Sequence, residues 1–385
     1  MPGRSLGRPA ALAIAAGAAT VLPGFLVGAL ALQIRADLGV SVAAVASGVT
    51  VFFAAGALGA GPGGRLAERM GALSSILACV VATAVCLLLA ALAAHSLAVL
   101  LALLAAAGVA NAVTQPAINL FMADQVPLAR QGLAFGIKQA AIPAAVLVSG
   151  LTLPVLALPL GWRPTFAICA AGVLAVAVVV RRSTTSFAPV PQRDPAPRPS
   201  RALIVTAVGA ALASAGPNSL GAYLVASAVD VGIAEGVAGL LAAAGSGVAL
   251  LTRVALGERA DRRRDYGFAA VVVLLVSGSL GFALLATGET VPFVFGVFAA
   301  FALGWGWPGL FNLAVVDLNR EAPGAATGVT QTGIYVGAAA GPAAYGLVSE
   351  AYGYSTAWVV SGVLCLLAAL AFWYAGRLSR SQIPA

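Results

Sequence analysis

Lys138 is the only lysine of the chain, and it stands with Gln139 inside the apolar stretch from Gly132 to Pro143. An ammonium held in a lipid-embedded helix costs about 3 kcal/mol on the lenient insertion scale, so its presence asks for a purpose. Two are open. Lys138 binds a solute, or it snorkels, since helical rise puts it only about 10 Å from the start of its segment. None of the 13 acids falls deep in an apolar stretch, which leaves this cation without a carboxylate partner in the sequence. A buried cation unpaired by the protein suits a site whose counter-charge arrives with a small anionic solute.

Polar and aromatic side chains recur at helical spacing in other apolar stretches. Asn111, Gln115 and Asn119 form one stripe, and Thr327, Gln331 and Tyr335 another, each with a period of four residues. Asn218 and Tyr223 follow Pro217, while Trp305, Trp307 and Asn312 surround Pro308. Such stripes line a polar cavity or supply hydrogen bonds between packed helices, because both tasks use the same residue types. Other chemistry is poorly provided for. Cys79, Cys86, Cys169 and Cys365 lie singly in apolar runs, His95 is the one histidine, and no GxxxxGK loop occurs. Neither a metal, a cofactor nor an enzymatic nucleophile with its base is expected.

The elements that must position these residues follow from composition. The 385 residues are 61% apolar and 9% charged, with a mean hydropathy of +1.00. A soluble domain carries about a quarter charged residues, so this chain must meet lipid over most of its surface. Apolar windows long enough to cross a bilayer number twelve, at about 10–33, 41–61, 72–93, 96–122, 131–158, 163–181, 202–226, 234–256, 266–287, 291–316, 324–349 and 355–376. The first follows a basic start, as in a signal peptide, but its length marks it as a retained span. Residues 182–201 are basic and Pro-rich and separate two halves, 1–181 and 202–385. With both termini cytoplasmic, all of the 21 basic residues except Arg35, Arg163 and Lys138 fall on the cytoplasmic side. Topology thus accounts for the net charge of +8, and no nucleic-acid partner is called for.

The halves repeat. Gly64-Arg-Leu-Ala-Glu68-Arg69 is echoed 193 residues on by Gly257-Glu-Arg-Ala-Asp261-Arg262. Pro116, Gly132, Gly136, Gln139 and Gly161 recur 192 residues on as Pro308, Gly324, Gly328, Gln331 and Gly353. Through these loops, the basic linker and the Gly161-Trp-Arg-Pro-Thr-Phe166 entry to the sixth span, the whole chain resembles the major facilitator superfamily of secondary transporters. The segment around Lys138 is similar to its cyanate permease-like branch. Two departures are Glu68, where the family usually has Asp, and Ala72-Leu73, where it usually has basic residues.

The resemblance implies an all-α membrane protein of twelve transmembrane helices in two pseudo-symmetric six-helix bundles that rock about a central site. The loop motif then reads as a conformational latch: Glu68 against the amino end of span 11, Arg69 with Asp124, Asp261 at the start of span 5 and Arg262 near Asp317. The expected activity is alternating-access transport of a small anionic solute, read as anion uptake, with symport, exchange and uniport all open as the coupling. Lys138, Gln139, Asn111, Gln115, Asn119, Asn218, Tyr223, Trp307, Asn312, Gln331 and Tyr335 are the expected substrate-binding set. Protons are a candidate partner, and a monomer in the plasma membrane is the expected form. Proton-coupled efflux of drugs or metabolites is the alternative, although no intramembrane carboxylate is present to cycle protons.

Overall fold

A computed structural model describes residues 7–125, 131–183, 199–262, 267–319 and 323–380. Among these, eleven helices are long and apolar enough to cross a membrane. The last of them runs from Pro323 to Arg380 and departs from helical geometry at Gly353 (φ 83°, ψ 166°), which divides it into two crossings and gives twelve in all. Spans 1 to 4 are Gly7–Ala29, Val42–Met70, Ala72–Ala93 and Leu97–Gln125. Span 5 is built of pieces, Gln131–Gln139, Ala141–Thr152, a π-helical segment Leu153–Ala157 and Leu158–Leu160; span 6 is Trp162–Arg181. Spans 7 to 9 are Arg201–Asp230, Glu235–Arg262 and Gly267–Leu285. Span 10 is also broken, into Thr290–Ala299, a π-helical segment Ala300–Gly304 and Pro308–Leu318; spans 11 and 12 flank Gly353. Most of the expected linker, 184–198, lies outside the described residues.

An even number of crossings puts both chain ends on one face, called here the terminus face. The internal repeat is visible in backbone geometry. Gly161 (φ 88°, ψ 167°) between spans 5 and 6 matches Gly353 between spans 11 and 12. Gly39 and Gly232, both with positive φ, make the turns after spans 1 and 7. These conformations are open to glycine and strained for other residues, so the repeat of residue type follows from a repeat of turn.

The halves meet along seams that obey the same symmetry: span 1 crosses span 7, span 2 packs on span 11, and span 5 on span 8. At the face away from the termini Ser41 Oγ donates to Glu350 Oε1 (2.9 Å), joining the start of span 2 to the end of span 11. Within the first half, Arg163 at the start of span 6 pairs with Asp37 (2.8 Å) and donates to the Ala94 carbonyl (3.1 Å). Trp162 Nε1 donates to the same carboxylate at 3.1 Å. One acid thus clips three loops of that face.

Small residues decide how closely the helices approach, as lipid supplies little hydrophobic drive between them. Gly333, Gly337 and Gly341 form a stripe on span 11 whose Cα atoms lie against the backbone of Ala207, Ala211 and Ala215 on span 7. The spacing of this stripe is legible in the sequence, but in a chain with 45 glycines a four-residue recurrence says little by itself. A methyl group on Gly337 would overlap the Ala211 carbonyl, whereas Gly328, two turns nearer the terminus face, has no other atom within 4 Å of that position. Gly337→Ala is therefore expected to cost about 1–3 kcal/mol through forced separation of spans 7 and 11. Melting of the detergent-purified protein reads this as a lowered Tm, with Gly328→Ala unchanged; equal Tm for both variants would contradict the packing described.

Candidate functional site

Midway along the spans, between the halves, lies a cavity lined by residues of both. Its polar lining is Asn111 and Gln115 from span 4, Gln139 from span 5, Ser214 and Asn218 from span 7, Trp305 and Trp307 from span 10, and Gln331 and Tyr335 from span 11. Val21, Phe53, Ile142, Pro308, Ile334 and Ala338 complete the wall. Among the described residues, no acid and no histidine belongs to this lining. Gln139 and Gln331, repeat partners in sequence, face the same space from opposite halves.

Helix breaks bring these groups to the centre. Pro143 has no N–H to offer the Gln139 carbonyl, and the helix yields at Ala140 (ψ −17°). In span 10 the π-helical segment ends at Trp305 (φ −115°, ψ 3°), and residues 305–307 run as a bend before Pro308 restarts the helix. Such irregular backbone is tolerated at membrane depth where protein surrounds it.

Hydrogen bonding fixes part of the lining and leaves part unused. Asn111 Oδ1 accepts from Thr20 Oγ1 (3.3 Å) and from Gln115 Nε2 (3.3 Å), and Asn218 Nδ2 donates to the Ser214 carbonyl (2.8 Å). Trp307 Nε1 and Tyr335 Oη, by contrast, are buried without a hydrogen-bond partner, on residues 1% and 4% exposed. An unmet buried donor costs about 1–3 kcal/mol, and an indole N–H can be met only by an acceptor.

Aromatic rings close the cavity away from the termini. Phe25 meets Trp305 across the halves edge to face with centroids 5.8 Å apart, and Phe53 meets Tyr335 at 6.4 Å. Toward the terminus face burial relaxes along both stripes. Asn111 is buried, Gln115 half-buried and Asn119 exposed; Tyr335 is buried, Gln331 half-buried and Gly328 exposed.

The two symmetric seams differ at that face. Gly136 of span 5 is pressed on span 8, where its Cβ position is 2.7 Å from the Arg253 carbonyl and 3.4 Å from Gly257 Cα. At the Cβ positions of their repeat counterparts, Gly328 and Gly64, no described residue lies within 4 Å. The seam between spans 5 and 8 is shut while that between spans 2 and 11 is parted.

The expected site residues divide accordingly. Asn111, Gln115, Gln139, Asn218, Trp307, Gln331 and Tyr335 line the cavity; Lys138, Asn119, Tyr223 and Asn312 do not. Lys138 is half-buried one residue from the lining, and no carboxylate pairs with it among the described residues. Tyr223 follows Asn218 by five residues, about 140° around the helix, and stacks instead on Tyr345 (centroids 4.6 Å apart). Asn312 is buried one turn beyond Pro308.

Of the loop residues, Asp261 Oδ2 accepts from the Leu133 N–H at the start of span 5 (3.0 Å). Arg262 pairs with Glu258, one turn back on its own helix (2.6 Å), where both side chains reach water. Arg69 is exposed, and the side chains of Glu68 and Asp124 lie outside the described residues. Arg253 is the residue that sequence reasoning missed. It counted among the cytoplasmic arginines, yet it is 1% exposed within span 8. Its signal was its place three residues inside the predicted window 234–256.

Accessibility from the terminus face follows from the burial gradient. With the four native cysteines replaced by alanine, Asn119→Cys is expected to react readily with a membrane-impermeant thiol reagent, and Asn111→Cys to be protected. Equal labelling would remove the gradient.

The family model for the Major Facilitator Superfamily matches residues 11–227 and again 203–384, once for each half. No curated protein matches the chain. Twelve helical crossings in two symmetry-related halves, with a polar cavity at their junction, agree with that match over nearly the full length, and the chain belongs to the major facilitator superfamily of membrane transporters.

Proposed function

We propose that this transporter moves a small anionic solute through the central cavity by alternating access. The observation that carries this reading is the pair of buried, unpartnered donors, Trp307 Nε1 and Tyr335 Oη, in a lining whose described residues include no carboxylate. An oxyanion offers the acceptors both need, and amide groups of Asn111, Gln115, Gln139, Asn218 and Gln331 surround it with further donors. Lys138, half-buried beside Gln139, adds positive potential on the terminus side of the cavity. A cationic drug would find no counter-charge in this lining, so uptake of an anion is favoured over efflux.

In this reading the terminus face is cytoplasmic, in keeping with its arginines, and the protein acts as a monomer in the plasma membrane. The parted seam between spans 2 and 11 is the route to the cytoplasm. The Ser41–Glu350 contact and the aromatic closure are the parts that open on the other side.

Thermal shift of the purified protein against small carboxylates, inorganic oxyanions and lipophilic cations tests the reading. Oxyanions are expected to stabilise the wild type. Trp307→Phe and Tyr335→Phe should each weaken binding about tenfold, the worth of a hydrogen bond to a charged group. Stabilisation by cations alone, or by anions equally in all three proteins, would overturn it. Uptake of the stabilising anion into liposomes then tests transport.

A further inference from the structure

Arg253 lies in a membrane-spanning helix with its side chain fully enclosed, and its hydrogen-bond partners among the described residues are backbone carbonyls. Nε and Nη2 donate to the Trp305 carbonyl at 3.0 and 2.7 Å, and Nη1 donates to the Gln139 carbonyl. Both acceptors are available because their helices are interrupted. Residue 143, whose N–H would reach Gln139, is proline, and Trp305 stands outside the helical ladder at the bend before Pro308. The guanidinium also lies 5.7 Å from the centre of the Trp305 ring.

These contacts engage three of the five N–H donors of Arg253 and leave its charge uncancelled. Carbonyl dipoles and a ring face are neutral. The ion pairs Arg163–Asp37 and Arg262–Glu258 are both near water and do not include it. An enclosed cation costs several kcal/mol when its counter-charge is missing. The residues that hold it, Gln139 and Trp305, are themselves lining residues of the central cavity. The charge thus stands directly behind the wall, where little water screens it.

We infer that the transported solute carries one negative charge and that Arg253, held behind the cavity wall by the Gln139 and Trp305 carbonyls, is the positioning residue that supplies its counter-charge. This rests on the anion reading above and narrows it. Lys138 is only half-buried and open to screening by water, so the one enclosed cation, with no acid among the described lining residues, balances a monoanion. The apolar part of the wall, with Phe53, Ile142, Ile334 and Ala338, receives an apolar body, which makes a monocarboxylate the fitting class. Trp307 Nε1 and Tyr335 Oη then supply the hydrogen bonds, and Arg253 the field.

The experiment measures binding of acetate, propionate and benzoate, each against its uncharged amide, with succinate as the dianion. It uses the full-length protein in detergent and follows the fluorescence of the cavity tryptophans. The wild type is expected to prefer each monocarboxylate over its amide and over succinate. Arg253→Lys should keep that preference, and Arg253→Gln should reduce it by about tenfold or more. A purely structural role would change stability and the affinity for acid and amide together, without moving their ratio. Retention of the preference in monodisperse Arg253→Gln, or of equal affinity for succinate in the wild type, would overturn the inference while leaving the anion reading standing. Failure of the wild type to bind any of these anions, with cations bound instead, would overturn the anion reading itself. If Arg253→Gln gives no monodisperse protein, Arg253→Lys decides: preference kept supports the charge role, preference lost in monodisperse protein refutes it.

Discussion

Hydrocarbon offers no hydrogen-bond partner, so every backbone N–H and C=O at membrane depth must find one inside the protein. That constraint shapes the whole molecule. Regular helix meets it along the lipid-facing lengths, and each interruption has to be turned inward, where other groups can answer the freed carbonyls. The interruptions of spans 5 and 10 both face the junction of the halves. Arg253 answers both at once, reaching the Gln139 carbonyl of one half and the Trp305 carbonyl of the other. Cavity and buried cation therefore share an origin: the broken helices make room for a solute, and the same breaks require a donor that brings a charge.

Sequence symmetry makes the seams equivalent, but the structure does not treat them alike. Along spans 5 and 8 small residues let the backbones touch at both ends, Gly150 with Gly239 away from the termini and Gly136 with Arg253 and Gly257 near them. The carboxylate of Asp261, at the amino end of span 5, adds a favourable interaction with the helix dipole on that closed side. Spans 2 and 11 touch through Phe53 and Tyr335 and through Ser41 and Glu350, then part toward Gly64 and Gly328. Two chemically similar seams in different states are what a pair of bundles shows when closure costs little either way. No large burial of apolar area separates open from shut, because lipid accepts apolar side chains about as well as protein does.

How much of this was legible in the sequence depends on the length scale of the signal. Twelve spans could be read because an apolar run of about twenty residues has few other uses. The repeat was readable because Gly161 and Gly353 need the same positive φ and so keep the same residue. A four-residue period placed Asn111 and Gln115 on one wall, and Gln331 with Tyr335 on another. Five residues from Asn218 to Tyr223 turn the helix to another face, which a list of polar residues in one span does not register. Arg253 was obscured for a different reason. Near the end of a span an arginine normally reaches water, and only the packing of Gly136 against its backbone encloses it. The π-helical segments in spans 5 and 10 leave no residue signature apart from the prolines near them.

A recessed charge also suits a protein that must release what it binds. A guanidinium exposed in the cavity would exchange solvent for a bidentate carboxylate pair, and that pair would be as hard to part as it was favourable to form. Behind the wall, Arg253 is engaged with the Gln139 and Trp305 carbonyls, so in the proposed reading it need not release them when a solute enters. The solute then gains only the field of the charge and the hydrogen bonds of neutral donors, each worth about 0.5–3 kcal/mol. In the proposed alternating-access cycle, affinity assembled in this way from several modest terms falls quickly when the halves move and the donors separate. A single strong ion pair would instead travel with one half and hold the solute there.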